Sequence, residues 1–198
     1  MSGNNTPTYS SNFNVLDVGG NDGKRARDEF YPGSEVTVLD LKHGYDVMKE
    51  GLPDGKWDVI LANHFIEHIP DPDYFLDECK RVMTPLTVLD IGTPGLTAWF
   101  NRILFLFGYV PHSVELSKRF NVGKPFNWGK EKMGGHIFVY SLPAILELLK
   151  VHGFTIFEVK GEASTFPCPA PILWLDKFLT WLNPNLASAV RIKCQYLP

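Results

Sequence analysis

Nine residues near the amino terminus, Val15 to Gly23 (VLDVGGNDG), constrain this chain more than any other stretch. Asn14 to Val18 is a short apolar run that stops in a glycine-rich turn, as a buried parallel strand does. Lys24 to Phe30 has room for one short helix, Pro32-Gly33 ends it, and Glu35 to Leu41 (EVTVLDL) is a second, β-branched strand that closes on Asp40. Strand, glycine turn, helix and strand make one βαβ unit, whose right-handed crossover sets both strands parallel in one sheet. The turn brings backbone N–H groups and a helix N-terminus close to a ligand with little side chain in the way.

The rest of the chain continues the alternation. Only about fifteen residues separate Asp40 from the next strand, Lys56 to Ala62, so the helix after the second strand is expected to be trimmed. Phe75, Leu76, Cys79 and Val82 have the spacing of an amphipathic helix over Pro72 to Met83, and Leu86 to Ile91 is the following strand. Ser141 to His152 is a helix with Ser141 as N-cap, Pro143 in its first turn and Gly153 just past its end. Phe154 to Val159 and Ala189 to Gln195 are two late strands. The pattern predicts a doubly wound α/β sheet with a ligand at the carboxyl ends of the strands. Residues 13–198 read as one domain after a disordered polar tail at 1–12, with lid-like insertions at about 95–135 and 162–186.

Composition narrows the function. A net charge of −3 with mixed signs offers no basic face for nucleic acid. Cys79, Cys168 and Cys194 are odd in number and lack metal spacing, which suits a reducing compartment, and no secretory leader is visible, so a cytoplasmic protein is expected. The most apolar run, Ile103 to Pro111, is far shorter than the roughly 20 residues of a membrane-spanning helix.

The glycine turn is not a nicotinamide fingerprint. Counting from Gly19, the second and third glycines of G-x-G-x-x-G would fall on Asn21 and Lys24. Asp40 still stands where a carboxylate can accept both hydroxyls of a ribose. The stretch VLDVGGNDG instead resembles the first motif of class I S-adenosylmethionine-dependent methyltransferases, with Asp17 as the acid, Gly19 and Gly23 as outer glycines and Asn21 in place of the middle one. Leu52 to Pro85, with E-H-I-x-D at Glu67 to Asp71, is similar to the type 11 methyltransferases, and so is Gly134 to Phe154 (GGHIFVYSLPAILELLKVHGF). The three elements follow one another in the family's order.

The resemblance implies a doubly wound Rossmann-like methyltransferase fold, its sheet mostly parallel with an antiparallel C-terminal strand, with S-adenosylmethionine as cofactor and S-adenosylhomocysteine as product. It implies that Asp17, Gly19, Gly20, Asn21 and Gly23 hold the methionine end and Asp40, with Leu41 beside it, the ribose. It puts Asp46 and Val47 beside the adenine, with Asn63 and His64 closing the pocket. Transfer from a sulfonium is an in-line displacement, so the protein mainly positions the acceptor and manages its proton. His68 and His136 are the candidate bases, expected to converge with His64 above the sheet edge. H-F-I-E-H at His64 to His68 also matches the zinc pattern of inverted zinc peptidases, but the strand order around it is a nucleotide-binding one, and no metal is assigned. Trp57 and Phe65 are read as core.

Trp174, Phe178 and Trp181 make one aromatic helix face, a pattern of core packing more often than of lipid contact, and the face is left open to peripheral membrane contact with Lys177 beside it. The expected acceptor is a small molecule or a lipid or glycan precursor, and the segment Trp99 to Trp128 is expected to cover its pocket. A non-catalytic methyltransferase-like scaffold is the alternative, supported by the altered glycine turn, with a nicotinamide oxidoreductase behind it.

Overall fold

In a computed structural model, which describes residues 12–125, 134–164 and 169–197, six strands form one sheet. They are β1 (Asn14–Val18), β2 (Glu35–Leu39), β3 (Val59–Asn63), β4 (Val88–Pro94), β5 (Phe154–Glu162) and β6 (Ala189–Tyr196), in the order β2-β1-β3-β4-β6-β5. β1 pairs in parallel with β2 and β3, and β3 with β4, while β6 lies antiparallel between β4 and β5. This is the doubly wound sheet with an antiparallel C-terminal strand that the sequence predicts. The expected tail at 1–12 lies outside the described residues except for Asn12, as do Cys168 and Trp128.

The core follows from the apolar runs. Leu16, Ile60, Ala62, Leu89, Ile91 and Ile192 are fully buried across the sheet, with Phe75, Leu76 and Cys79 of α2 (Pro72–Val82) and Ile145 and Leu149 of α4 (Leu142–Val151) packed with them. α2 starts at Asp71, whose carboxylate accepts the N–H of Tyr74, and α4 at Ser141, whose hydroxyl accepts that of Ala144. Gly153, at φ 85°, turns the chain from α4 into β5.

The helix after the glycine turn covers Lys24 to Phe30 as expected, with Ala26–Phe30 in π-helical form, and it is β2 that differs in length. β2 ends at Leu39, since Asp40 caps a 3-10 turn, Leu41–His43, instead of continuing the ladder. The trimmed helix survives as one turn, α1 (Val47–Glu50), capped by Asp46, and β3 then pairs directly with β1.

The two expected insertions hold α3 (Trp99–Leu106) and α5 (Ala170–Leu182). They are tied together by the Trp99 indole N–H, which donates to the buried Asp176 carboxylate at 2.7 Å. Behind the first βαβ unit lies a buried ionic group the sequence reading did not single out. Arg191 of β6 grips Asp90 of β4 with two bonds of 2.8 and 2.6 Å, the Tyr31 hydroxyl donates to the same carboxylate, and the Phe30 ring covers the guanidinium at 3.7 Å. No sequence spacing could have joined positions that lie on three separate elements.

Candidate functional site

The glycine turn closes onto Asp17. Asp17 is 3% exposed at the end of β1, and a Cβ on Gly20 would sit 2.0 Å from its carboxylate, so only glycine fits there. Gly19, at φ 75°, donates its N–H to Leu39 at 2.7 Å, and a Cβ on it would meet the Phe65 ring at 2.6 Å. Burial, reinforced by Asp40 and opposed by Arg27, pushes the Asp17 carboxyl up to about 6.

Asn21 fills the middle glycine's place without distorting the turn. It adopts φ 57°, a left-handed conformation that asparagine tolerates better than other side chains. All its polar groups but the amide nitrogen are engaged: its N–H donates to Asp40 Oδ2 at 2.9 Å, its Oδ1 accepts from Lys42 Nζ at 3.0 Å, and its carbonyl lies 2.7 Å from His43 Nε2. Asp40 Oδ1 in turn accepts the Lys42 N–H at 2.8 Å. The carboxylate thereby clamps the turn after β1 to the end of β2, and a carboxylate has further lone pairs for hydroxyl donors. Leu41 next to it is exposed, an apolar side chain free to lie against a flat ring.

The remaining cofactor candidates divide. Asp46 caps α1, accepting from Met48 N–H at 3.1 Å and pairing with Lys49 at 3.0 Å. Val47 packs into the core, so only its backbone can meet an adenine. Asn63 ends β3 against Gly92, and its Oδ1 is buried with no partner, an acceptor waiting for a donor. Phe65 packs edge-on to Phe75 at 5.1 Å and floors the turn under Gly19, and Trp57 packs against the core, in keeping with the core reading of both.

The histidines come together beside this turn. His64 sits at φ 54°, its N–H bonded to Gly92, and its Nδ1 lies 3.0 Å from Glu67 Oε1. Glu67 is fully buried, and its other carboxylate oxygen has no partner. Its carbonyl accepts from Ile137 and Phe138 N–H, and this pins the segment that carries His136. The His68 and His136 rings lie 4.8 Å apart, and His136 Nδ1 is 2.8 Å from the Ser113 carbonyl, which fixes that nitrogen as donor and leaves Nε2 as acceptor. Glu67, His68 and His136 each offer a ligand atom within 4.8 Å of the others. The peptidase geometry is not formed: residues 64–69 are a turn and not a helix, and His64 is spent on Glu67.

A cavity of about 440 Å³ opens at the carboxyl end of β4, lined among others by His64, Phe100, Asn101, His112, Ser113 and His136. Burial, aided by Lys124, lowers the pKa of His112. His112 and Ser113 escaped the sequence reading as cavity residues, because only the return of residues 110–124 over α3 brings them there. Asn101 accepts the His112 N–H at 2.9 Å, and Lys124 Nζ donates to the carbonyls of His112 and Val114 at 2.6 and 2.8 Å.

A mostly parallel sheet with an antiparallel C-terminal strand, a glycine cradle after its first strand and an acid after its second is the Rossmann-like fold of class I methyltransferases. Residues 5–159 match the methyltransferase-domain family model, and the chain belongs to that family. A probable S-adenosylmethionine-dependent methyltransferase of Mycolicibacterium smegmatis is 37% identical over 67 residues, which are 34% of this chain and 23% of that protein. The chain thus spans about a quarter of that relative's length. Among solved structures, a SAM-dependent methyltransferase from Archaeoglobus fulgidus superposes with a TM-score of 0.53 at 18% identity, over 96% of this chain and 88% of that one. A Burkholderia thailandensis 1,6-didemethyltoxoflavin-N1-methyltransferase with bound S-adenosylhomocysteine does so at 0.53 and 14%, over 94% and 72%. These likenesses confirm the fold.

Proposed function

We propose that this chain binds S-adenosylmethionine in the Gly19–Gly23 cradle and directs its methyl group to a small-molecule acceptor, a lipid or glycan precursor included, held in the cavity beside His136. The observation that carries the reading is the joint between Asp40 and Asn21, which shapes a glycine cradle around Asp17 and leaves an acid at the second strand's end. Gly20 lets the turn close onto the Asp17 carboxylate, which suits an ammonium. Asp40 suits the two ribose hydroxyls, Leu41 one face of the base, and the orphaned Asn63 Oδ1 a ligand N–H or O–H.

When bound, the sulfonium supplies the methyl group by direct displacement, so no nucleophilic side chain is required. This chain's work is to orient the acceptor and take its proton. His136, with Nδ1 held by Ser113, has Nε2 as base, and His68, its ring 4.8 Å away, is the second base. The segment from Trp99 onward supplies Phe100, Asn101 and His112 to the cavity wall, which supports its role as cover. The exposed Trp174, Phe178 and Trp181 support peripheral membrane contact, and the free buried thiols of Cys79 and Cys194 suit a reducing, cytoplasmic setting. Among the described residues no helix is long and apolar enough to cross a membrane.

The scaffold alternative drew on Asn21, and its fit in the turn takes that support away. Calorimetry with S-adenosylmethionine tests the proposal: binding with S-adenosylhomocysteine as competitor is expected, and no heat and no thermal shift at millimolar cofactor would overturn it.

A further inference from the structure

α5 is built inside out. The residues it buries are Asp176 and Thr180, while Trp174, Phe178 and Trp181 are 67%, 42% and 78% exposed, with Trp174 and Phe178 stacked at 5.6 Å. A helix packed on a core and facing water shows the reverse pattern. α3 repeats the inversion: it buries Asn101 and leaves Ile103, Phe105 and Leu106 outside, followed by exposed Phe107 and Tyr109.

Buried polar struts lock both orientations. Asp176 accepts the Trp99 indole N–H at 2.7 Å and the Ser164 N–H at 2.6 Å. Asn101 donates to the carbonyls of Gly95 and Leu96 at 3.1 and 3.0 Å and accepts from His112. Rotating either helix to hide its aromatic face would break these bonds and leave the Trp99 indole N–H and the carbonyls of Gly95 and Leu96 without their partners. The same Trp99–Asp176 bond ties the start of α3 to the middle of α5, so the two inverted helices are neighbours at the surface, and exposed apolar residues grouped in this way mark an interaction site.

The charges identify what it meets. Among the described residues of 99–125 and 169–183, the exposed charged side chains are Arg102, Lys118, Arg119 and Lys177, all basic. The two acids, Glu115 and Asp176, have side chains that are buried or nearly so, and the Lys124 ammonium is bound by three carbonyls. This concentration stands out in a chain of net charge −3. A two-fold contact between copies would set these cations against one another, whereas a lipid surface with anionic headgroups takes both the aromatic face and the cations.

We propose that α3 and α5 form a platform that docks the protein, without spanning, on an anionic lipid surface, with Trp174 and Trp181 at the headgroup level. The proposal deepens the membrane contact named above. α5, at 13 residues, has the length of an interfacial helix and not of a spanning one. Phe100 and Asn101 of the same platform line the cavity, so docking sets its wall beside the bilayer, where an amphiphilic acceptor would be presented.

The test is co-sedimentation of the full chain with vesicles of phosphatidylcholine alone and of phosphatidylcholine with 30% phosphatidylglycerol, which is roughly the anionic content at which basic surfaces bind. Binding is expected to the anionic vesicles, with much less to the neutral ones and less at high salt. Trp174→Ser/Trp181→Ser should lower partitioning at least about tenfold, since each loses an interfacial aromatic anchor. Lys177→Glu should lower it about fivefold or more at low salt. These positions are exposed, so unchanged thermal unfolding checks that the fold is intact, and S-adenosylmethionine calorimetry on the same samples keeps the cofactor reading separate. A folded, cofactor-binding chain that ignores anionic vesicles overturns the proposal. So does sedimentation equilibrium showing a dimer that the tryptophan variant dissolves while vesicle binding is unaffected.

Discussion

Asp40 accepts the backbone N–H of Asn21 at 2.9 Å, and this bond joins the turn after β1 to the end of β2 across 19 residues of sequence. The carboxylate is therefore both a strut of the turn and the expected ribose acceptor. Asp40→Ala should weaken S-adenosylmethionine binding at least tenfold in calorimetry, because hydrogen bonds to charged groups contribute roughly 1.5 to 3 kcal/mol each. Unchanged affinity in a folded variant would remove the ribose assignment.

Asp17 should make cofactor binding pH-dependent. Its carboxyl is raised from 3.8 to about 6 in the folded chain, so the folded state holds this proton more tightly than the unfolded one. The ligand-free protein accordingly loses stability from this group as pH rises from about 4 to about 6, and the penalty is complete above that. A cationic ligand end against Asp17 favours the ionised form, so affinity should fall as pH drops below about 6, with proton release on binding. Asp17→Asn should abolish both the proton release and the pH slope. Equal slopes in the two proteins would show that Asp17 does not face the ligand.

Gly20 should tolerate no side chain. A methyl group there would lie 2.0 Å from Asp17 Oδ2, whereas one on Gly33 meets nothing within 4 Å and carries only the strain of φ 83°. Gly20→Ala is expected to cost about 1 to 3 kcal/mol or more by overpacking and to abolish cofactor binding. Gly33→Ala should cost about 1 to 2 kcal/mol and leave binding intact. Thermal unfolding and calorimetry on both variants compare the two effects.

Arg191→Met should destabilise the fold by about 3 to 5 kcal/mol, since it leaves the fully buried Asp90 carboxylate without its cation. The double variant Arg191→Met/Asp90→Leu should recover much of that loss. Denaturant unfolding measures both, and a single variant as stable as the parent would show that Asp90 is satisfied by Tyr31 alone.

His68→Ala and His136→Ala should each remove a histidine-type limb from the pH–rate profile while leaving S-adenosylmethionine affinity unchanged, with activity indifferent to chelators. Chelator-sensitive activity restored by a divalent ion and dependent on Glu67 would replace the base with a metal held by Glu67, His68 and His136.

What the sequence by itself determined is whatever rests on local periodicity and on residues adjacent in the chain. The apolar run of β1, the glycines after it and the β-branched β2 dictate a βαβ unit, because each piece has one low-energy way to bury its side chains and turn. Asp17 and Asp40 were legible as candidate site residues for the same reason, since each stands at the end of a strand of that unit. The Ser141 cap was readable from its place before an apolar run with Pro143 in the first turn, and the structure adds Asp71 as the cap of α2. Only the tertiary structure decided the relationships that cross elements. Asn21 fits because His43, Lys42 and Asp40 reach it from the end of β2. Val47 proved to be core because α1 is a single turn packed beside α2. The aromatic stripe on α5 has the spacing of a core face, and periodicity cannot tell which side of a helix faces inward. Two buried polar side chains, Asp176 and Asn101, mark the inward sides, because their hydrogen bonds to Trp99, Ser164, Gly95 and Leu96 are made only in this orientation.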